Sequence, residues 1–336
     1  MKKSLLQFTM TRQRSLKHRN CLVNRYFTLA VTILVALSFV GCEKQGLTES
    51  EGYVEVTGGK VWYQIVGSGT ATPLLLLHGG PGIPSSYLKP LEQLADERPV
   101  IFYDQLGSGK SDRPHDLALW RTERFVEELA QVRKALGINK VHILGHSWGT
   151  MLAVDYMLTN PSGVKSVILA SPCLSISKWM EDANKYRAAL PEETQEILDR
   201  HEKAGTMDSE EYLNATMEFY KRHLCRLDPW PSELQNSFSE MNEEVYSTMW
   251  GLNEFNVTGN LKEYDRTGRL NEISVPTLFT AGRYDEATPE ATALYQSFVP
   301  KSSIRIFENS AHLAMYEETD KYIEVIRDFL RSVEKQ

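Results

Sequence analysis

Short apolar runs alternate with longer amphipathic segments over most of the chain. Leu74–Leu77 and Val100–Tyr103 are continuous apolar runs, which are typical of strands buried on both faces of a sheet. Arg121–Leu136 instead carries its apolar residues at helical spacing and is followed by Gly137, which predicts a helix that stops there. The same patterns predict strands at 53–56, 60–66, 141–144, 164–170, 276–281 and 303–307, and helices at 87–94, 149–158, 289–298 and 319–333.

Strands that alternate with helices indicate an α/β fold, with a mostly parallel sheet covered by helices on both faces. The stretch from about Leu174 to Asn271 breaks this alternation, because it is helix-prone and has no clear strand. It is also too long to be a loop. We therefore predict a helical cap over residues 174–271, inserted into a core formed by residues 52–173 and 272–336.

The first part of the chain differs in character from the rest. Residues 1–41 hold seven basic residues and no acidic one, and they include the apolar segment Tyr26–Val40. That segment is short for a bilayer span, which needs ~20 residues, but it suits the apolar core of a signal peptide. Because Gly41-Cys42 then resembles a bacterial lipobox, we predict a lipoprotein signal peptide over residues 1–41, lipidation of Cys42 and a linker over residues 42–51.

On this interpretation the protein is exported and held at the periplasmic or cell-surface side of a membrane by the lipid on Cys42. Two alternatives remain open at this point. The segment could be an uncleaved membrane anchor, or it could be an ordinary signal peptide next to a coincidental cysteine.

Composition limits the classes of function. Hydrophobic residues make up 42% and charged residues 24% of the chain, which excludes a disordered, collagen-like or polytopic membrane protein. Without residues 1–41, 30 Lys and Arg face 44 Asp and Glu, so the body of the protein is acidic. An acidic body is a poor nucleic-acid binder, because neutralising phosphates needs surplus basic residues.

The sequence carries no signature of a metal ion or cofactor. It contains neither a CxxC pair nor a Cys/His spacing suited to a metal ion, and it lacks the glycine loops that bind nucleotide phosphates. We therefore expect no metal site and no cofactor. Cys173 and Cys225 are expected to be free and buried rather than paired.

Gly145-His146-Ser147-Trp148-Gly149 lies between a predicted strand and a predicted helix. A GxSxG motif in that context predicts a nucleophile elbow, the sharp turn that raises a serine hydroxyl above the sheet of an α/β-hydrolase. The glycines are needed because the turn leaves no room for side chains. A plain strand-to-helix turn is the alternative.

A serine hydroxyl needs a base, and the base needs an orienting acid; in α/β-hydrolases the chain order is Ser, acid, His. Downstream of Ser147, Asp285 follows the strand predicted at 276–281, and His312 follows the one at 303–307. Both lie at carboxyl ends of strands, so we predict the triad Ser147, Asp285 and His312. The other histidines weighed fit less well, since they precede the serine, lie in the elbow or belong to the cap: His115, His142, His146, His201 and His223.

His78-Gly79-Gly80-Pro81-Gly82 follows the apolar strand Leu74–Leu77. Glycines there let a backbone N–H face a reacting carbonyl, and the residue after the nucleophile supplies a second N–H. We therefore predict an oxyanion hole formed by Gly80 and Trp148. The alternative is a Gly/Pro turn that merely ends the strand.

Four motifs together resemble the prolyl aminopeptidase (proline iminopeptidase) family of α/β-hydrolases. They are HGGPG at 78–82, YDQLGSGKSD at 103–112, GHSWG at 145–149 and GRYDEATP at 282–289. The likeness covers roughly residues 52–333. WGLNEF at 250–255 is similar to the branch that includes the tricorn-interacting aminopeptidases, in which a cap glutamate and the glutamate after the triad aspartate hold the substrate's free α-ammonium. The matching residues are Glu254 and Glu286.

The resemblance implies a serine aminopeptidase that removes the N-terminal residue, preferentially proline, from short peptides with a free N-terminus. His146 departs from the family pattern, in which Gly, Ser or Gln is common at this position, and GHSWG also occurs in esterases. An esterase, a lactonase or an amino-acid amidase with the same triad is therefore one alternative. A non-catalytic surface lipoprotein with a hydrolase fold is the other. Glu254 and Glu286 could also be ordinary solvated acids.

Overall fold

A computed structural model describes residues 46–335. The predicted leader and Cys42 lie outside these residues. The main feature is an eight-stranded sheet. Its strands are β1 (Ser50–Val56), β2 (Gly59–Val66), β3 (Leu74–Leu77), β4 (Val100–Tyr103), β5 (Val141–His146), β6 (Val164–Ala170), β9 (Thr277–Gly282) and β10 (Ser302–Phe307), and a separate hairpin consists of β7 (Gly251–Asn253) and β8 (Asn256–Val257). The strand order in the sheet is β1-β2-β4-β3-β5-β6-β9-β10.

Helices cover the sheet and fill the long connection between β6 and β9. Over the described residues, the α-helices are α1 (Thr122–Ala135), α2 (Trp148–Met157), α3 (Ile176–Ala188), α4 (Glu192–Ala204), α5 (Glu210–His223), α6 (Ser232–Ser239), α7 (Glu243–Met249), α8 (Pro289–Phe298), α9 (Ala314–Glu317) and α10 (Thr319–Glu334). The same part of the chain contains 3₁₀ helices at Ser85–Asp96, Leu117–Leu119 and Thr267–Glu272. None of the helices in residues 46–335 has the length and apolarity needed to cross a bilayer.

The sheet confirms the predicted α/β-hydrolase fold class. β1 and β2 form an antiparallel hairpin, β2 pairs antiparallel with β4, and the remaining neighbours are parallel. The four consecutive leucines of β3 are completely buried because successive side chains point to opposite faces of the sheet and both faces are covered. Leu75 and Leu77 pack into the core on one face, and Leu74 and Leu76 into the core on the other.

Two predicted elements differ from the structure. The segment predicted as a helix at 87–94 is the 3₁₀ helix Ser85–Asp96, which contains Pro90. Proline has no N–H for an α-helical hydrogen bond and its ring clashes with the preceding turn. The cap, in which no strand was predicted, contains the hairpin β7–β8. These strands have three and two residues, too few to give an alternating pattern.

The boundary predicted for the linker also needs correction. Residues 42–51 were expected to be a linker, but β1 begins at Ser50 and Leu47 accepts a hydrogen bond from the Gly69 N–H at 2.9 Å. The part of this segment that the structure describes therefore belongs to the folded body. Helices α3 to α7 and the hairpin lie between β6 and β9, and we propose residues 174–271 as the cap.

A buried ion pair supports the loop after β4. Arg124 and Glu128 on α1 are almost completely buried and form an i,i+4 salt bridge. The Glu128 carboxylate also accepts a hydrogen bond from the Leu106 N–H at 3.2 Å. Arg124 donates from Nε to the Leu119 carbonyl at 3.0 Å. The pair therefore links α1 to the loop that carries Gln105.

Replacing Arg124 should leave the Glu128 carboxylate buried without its cation. Breaking a buried pair in this way typically costs ~3–5 kcal/mol, so we expect Arg124→Met to lower the free energy of unfolding by about that amount. Urea unfolding measures the change. In the matched control, Arg269→Met, the lost partner is the exposed Glu272, and the cost should stay below ~1 kcal/mol. An equal decrease in the free energy of unfolding in both variants would contradict a special contribution of the buried ion pair.

Candidate active site

Ser147 lies at the sharp turn between β5 and α2. Its backbone has φ 55° and ψ −123°, a strained conformation for a residue with a side chain. The turn is possible because Gly145 and Gly149 lie against each other: a Cβ on Gly145 would come within 2.2 Å of the Gly149 carbonyl oxygen. The Ser147 N–H donates to the Ala170 carbonyl of the neighbouring strand at 3.0 Å, which holds the turn on the sheet.

His312 and Asp285 are brought together from the loops after β10 and β9. His312 Nδ1 lies 2.7 Å from Asp285 Oδ1, and both side chains are buried. The same carboxylate oxygen accepts from the Ala287 N–H at 2.8 Å. The second oxygen, Oδ2, accepts from the Ser171 hydroxyl at 2.7 Å. The Gly282 N–H also donates to Oδ2, at 3.3 Å. These four donors fix the Asp285 side chain in an orientation that holds the imidazole in place.

Ser171 was missed by the sequence analysis. It follows β6 directly and has φ +51°, one of the few positive values for non-glycine residues in the part of the chain that the structure describes. Its hydroxyl also lies 3.2 Å from the His312 carbonyl oxygen. The only local signal was a serine at the carboxyl end of a predicted strand, which by itself points to no partner.

Trp148 directly follows Ser147 in the chain, and Gly80 lines the same cavity as Ser147. Trp148 is the first residue of α2, and Gly80 has φ +37°, a conformation that favours glycine. Neither N–H has a hydrogen-bond acceptor within residues 46–335. Two unpaired backbone donors beside a serine hydroxyl are suited to stabilising an oxyanion.

A set of side-chain bonds ties the HGGPG and YDQLGSGKSD segments to the elbow. The Gln105 N–H donates to His78 Nε2 at 2.9 Å, and Gln105 Nε2 donates to the His78 carbonyl at 3.1 Å. Trp148 Nε1 donates to Gln105 Oε1 at 2.9 Å. His78 and Gln105 are both buried, so these bonds are made away from competing water. The two motifs therefore have a structural role in joining three loops.

Ser147 and His312 open into a cavity of about 420 Å³ beneath the cap. Most of the side chains that line it are apolar or aromatic, and none of the lining residues is Lys or Arg. The lining comprises Gly79, Gly80, Ile83, Tyr87, His146, Ser147, Met207, Tyr212, Leu213, Thr216, Met217, Tyr220, Leu224, Leu234, Phe238, Met241, Tyr246, Leu252, Asn253, Glu254, Glu286, His312 and Leu313.

Glu254 and Glu286 both line this cavity, the first from the turn between β7 and β8 and the second from the loop after β9. Glu286 Oε1 lies 3.8 Å from His312 Nε2, while its other oxygen, Oε2, is buried without a hydrogen-bond partner among the described residues. Glu254 Oε1 accepts from the Tyr246 hydroxyl at 2.7 Å, and its carbonyl accepts from Trp179 Nε1 at 3.0 Å. Tyr246 and Trp179 were not predicted from the sequence.

Burial sets the protonation of the two glutamates. It raises the pKa of Glu286 well above the usual range, and the nearby carboxylates Glu254 and Asp285 raise it further. Burial also raises the pKa of Glu254, against the hydrogen bond from Tyr246. Two carboxyl groups in this state, one buried and one partly buried, favour a proton or an incoming cation.

The two cysteines and a possible metal site remain to be considered. Cys173 and Cys225 are buried free thiols. Among residues 46–335, no group of three or more His, Cys, Asp or Glu side chains is arranged to hold a metal ion.

Comparison with known proteins places the chain in a family. The family described as alpha/beta hydrolase fold matches residues 72–319, so the chain belongs to the α/β-hydrolases. A proline iminopeptidase of Heyndrickxia coagulans is 52% identical over 286 residues, which cover 84% of this chain and 99% of that protein. One of Saccharolobus solfataricus is 36% identical over 88% of this chain and 96% of that protein.

Solved structures agree. The crystal structure of proline iminopeptidase from Mycobacterium smegmatis has a TM-score of 0.79 and 37% identity, over 84% of this chain and 98% of that one. The crystal structure of VinJ has a TM-score of 0.82 and 36% identity, over 84% of this chain and 99% of that one. The chain belongs to the proline iminopeptidase family and is a serine hydrolase of the prolyl aminopeptidase type.

The predicted export and lipid anchoring are wrong. The proline iminopeptidases of Heyndrickxia coagulans and Saccharolobus solfataricus are covered over 99% and 96% of their length by 84% and 88% of this chain, so part of this chain has no counterpart in them. Nothing in the comparisons supports a signal peptide, a lipoprotein or a membrane partner. Cys42, the predicted lipidation site, lies outside the described residues.

Removing the charge of Glu286 should stabilise the protein above acidic pH. The folded protein binds this proton more tightly than the unfolded chain, whose Glu pKa is about 4.3, so stability falls as pH rises from there toward the folded pKa. Glutamine has no such cost. We expect Glu286→Gln to raise Tm by about 2 °C or more at pH 8, where 1 kcal/mol corresponds to about 2–4 °C, and to leave it unchanged at pH 4.

Thermal unfolding followed by circular dichroism at the two pH values measures the difference. The control is Glu196→Gln on the exposed face of α4, which should change Tm at neither pH. A Tm at pH 8 that is lower in Glu286→Gln than in the wild type would contradict the buried, destabilising carboxylate.

Proposed function

We propose that this prolyl aminopeptidase removes the N-terminal residue, preferentially proline, from short peptides by means of Ser147, His312 and Asp285. The observation that carries the proposal is a pair of carboxylates, the buried Glu286 and the partly buried Glu254, in a cavity whose lining contains no Lys or Arg. Such a pair suits one kind of ligand group, a cation delivered next to the scissile carbonyl. The α-ammonium of a peptide N-terminus is a cation of that kind.

The chemical step uses the triad. His312 accepts the proton of the Ser147 hydroxyl as the oxygen attacks the carbonyl of the N-terminal residue, and Asp285 stabilises the imidazolium that forms. When the tetrahedral intermediate collapses, the imidazolium gives its proton to the departing amine and an acyl-serine remains. Water, activated by the same imidazole, then hydrolyses the ester and releases the free amino acid.

Gly80 and Trp148 act on the charge that develops during this step. Their N–H groups lack other acceptors among residues 46–335, so they are free to donate to the oxyanion of the tetrahedral intermediate. Removing one donor of this kind typically costs ~10²–10³-fold in kcat.

The ammonium clamp explains why the N-terminal residue is the one removed. An ammonium between Glu254 of the cap and Glu286 of the core places the first carbonyl of the peptide at Ser147. An internal peptide bond would offer an uncharged amide to the same carboxylates, which leaves them unpaired. The cavity is enclosed by the cap and mostly apolar, which suits a prolyl ring and a short peptide.

The triad is tested with Ser147→Ala, His312→Ala and Asp285→Asn. Each should remove nearly all turnover of a prolyl arylamide while leaving the fold intact. Because triad members act as a unit, Ser147→Ala/His312→Ala should be little worse than either single variant. A positioned base contributes ~10²–10⁴-fold, so a His312→Ala enzyme that keeps more than about a tenth of wild-type kcat would contradict the assignment. Labelling of the wild type by a serine-directed fluorophosphonate, absent in Ser147→Ala, reports the nucleophile separately and excludes a non-catalytic protein.

The clamp is tested with Glu286→Gln and Glu254→Gln. Truncating one partner of a buried charge pair costs ~2–5 kcal/mol, so each variant should lose at least about 30-fold in kcat/KM on a prolyl arylamide. Hydrolysis of a small activated acetate ester, which has no ammonium, should change less than about threefold.

The matched substrate control is an N-acetylprolyl arylamide, which should be nearly inert with the wild-type enzyme. If the acetylated substrate is cut as fast as the free one, the carboxylates do not bind an ammonium, and an esterase or amidase function replaces the one proposed here.

A further inference from the structure

Three hydrogen bonds connect the oxyanion turn, the segment Gly79-Gly80, to the backbone of His312. The Gly79 N–H donates to the Tyr87 hydroxyl oxygen at 2.6 Å. The Tyr87 hydroxyl lies 2.8 Å from His146 Nδ1, and His146 Nε2 lies 2.9 Å from the His312 carbonyl oxygen. The chain of bonds runs from the loop after β3, through the 3₁₀ helix Ser85–Asp96 and the elbow, to the loop after β10.

The chemistry of the two ends permits only one proton arrangement. A backbone N–H can only donate, so Tyr87 accepts from Gly79 and uses its own proton toward His146 Nδ1. A carbonyl oxygen can only accept, so His146 Nε2 must carry a proton and donate it to His312. His146 is therefore the neutral Nε2–H tautomer, and each of these donors has an acceptor.

A charged His146 would break this arrangement. With a proton on Nδ1 as well, the imidazolium would face the Tyr87 hydroxyl, whose proton would lose its acceptor inside the core. The charge would also lie beside His312, whose ring centroid is 4.7 Å away and which becomes an imidazolium during catalysis. Burial, and next the nearby His312, lower the pKa of His146 to about 3, in agreement with the neutral form.

The chain of bonds is in direct contact with the nucleophile. A Cβ on Gly79 would lie 2.9 Å from the Ser147 Cβ and 2.9 Å from the Tyr87 hydroxyl, so the turn packs against both. Tyr87, His146 and His312 are all buried, where a hydrogen bond without water competition holds its geometry firmly. The chain thus joins the oxyanion donor, the nucleophile and the base, which come from three separate loops.

We propose that Tyr87 and His146 are positioning residues that hold the oxyanion turn and the His312 backbone at a fixed separation. The proposal rests on the roles given above to Gly80, Ser147 and His312. Neither residue exchanges a proton with the substrate; each acts through the backbone it holds. Misplacing a reacting group by about 1 Å can cost ~10²-fold in rate, so losing these bonds should lower kcat and spare substrate binding.

The first test compares Tyr87→Phe and His146→Leu with His146→Gln. Glutamine has a carbonyl oxygen for the Tyr87 hydroxyl and an amide N–H for the His312 carbonyl, so it can replace both bonds. We expect Tyr87→Phe and His146→Leu to lower kcat on a prolyl arylamide by at least about tenfold, with KM changed less than about twofold. His146→Gln should keep at least half of the wild-type kcat.

The matched control is Tyr103→Phe, which removes a buried hydroxyl that has no hydrogen-bond partner in the described residues and lies on β4. It should leave kcat unchanged. Wild-type kcat in Tyr87→Phe would overturn the proposal, as would a His146→Gln enzyme as impaired as His146→Leu. The double variant Tyr87→Phe/His146→Leu supplies a second criterion. Its kcat should be no lower than that of the less active single variant. If the two losses in kcat multiply instead, the two residues act separately, and the proposal is overturned.

The tautomer can be observed without any activity measurement. In ¹⁵N-histidine-labelled Ser147→Ala protein, His146 should give the shifts of a neutral imidazole protonated on Nε2 at every pH from 6 to 8. A protonated Nδ1 in that range would overturn the proposal. Failure of the proposed function would give a different result: Ser147→Ala would keep its activity on a prolyl arylamide. The outcomes above are therefore distinguishable from that failure.

Discussion

Carboxylates held in a largely apolar cavity are the constraint on which the active site depends. Asp285 is compensated by donors that include Ser171 and His312, and Glu254 by the Tyr246 hydroxyl. Glu286 has one buried oxygen without a partner within the described part of the chain. An unpaired buried carboxylate costs free energy until it gains a proton or a cation. A carboxylate of this kind destabilises the folded protein, and an ammonium group beside it would relieve that cost.

The parallel sheet explains how groups far apart in sequence reach this cavity. Ser147, Asp285 and His312 each follow the carboxyl end of a strand, and parallel strands bring those ends to one edge. Glu286 comes with Asp285 from the same loop. Glu254 reaches the site from the cap, so the cavity is complete only when the insertion between β6 and β9 folds onto that edge.

The backbone at this edge is strained, and neighbouring hydrogen bonds hold the strain. Ser147 and Ser171 both have positive φ, which costs of order 1–3 kcal/mol for a residue with a side chain. The Ser147 N–H is bonded to Ala170, and the Ser171 N–H to Thr280 at 2.7 Å, so each strained turn is fixed to the adjacent strand. The bonds from Gly79 through Tyr87 and His146 add the same kind of support from below. A rigid frame of this kind lets short loops hold the reacting atoms at fixed distances from one another.

The sequence by itself determined the strands of the sheet, the elbow at Ser147 and the strand-end positions of Asp285 and His312, because burial periodicity and turn sterics act between near neighbours in the chain. Its inference of export from residues 1–41 failed, since composition alone does not locate a protein and the relatives give no support for export or a lipid anchor. Tertiary structure alone decided which donors surround the site. Ser171, Tyr246 and Tyr87 carry no local pattern that marks them, and each gained its role from a partner at least eight residues away in the chain. Hydrogen-bond partners of that kind are selected by packing, which sequence periodicity does not record.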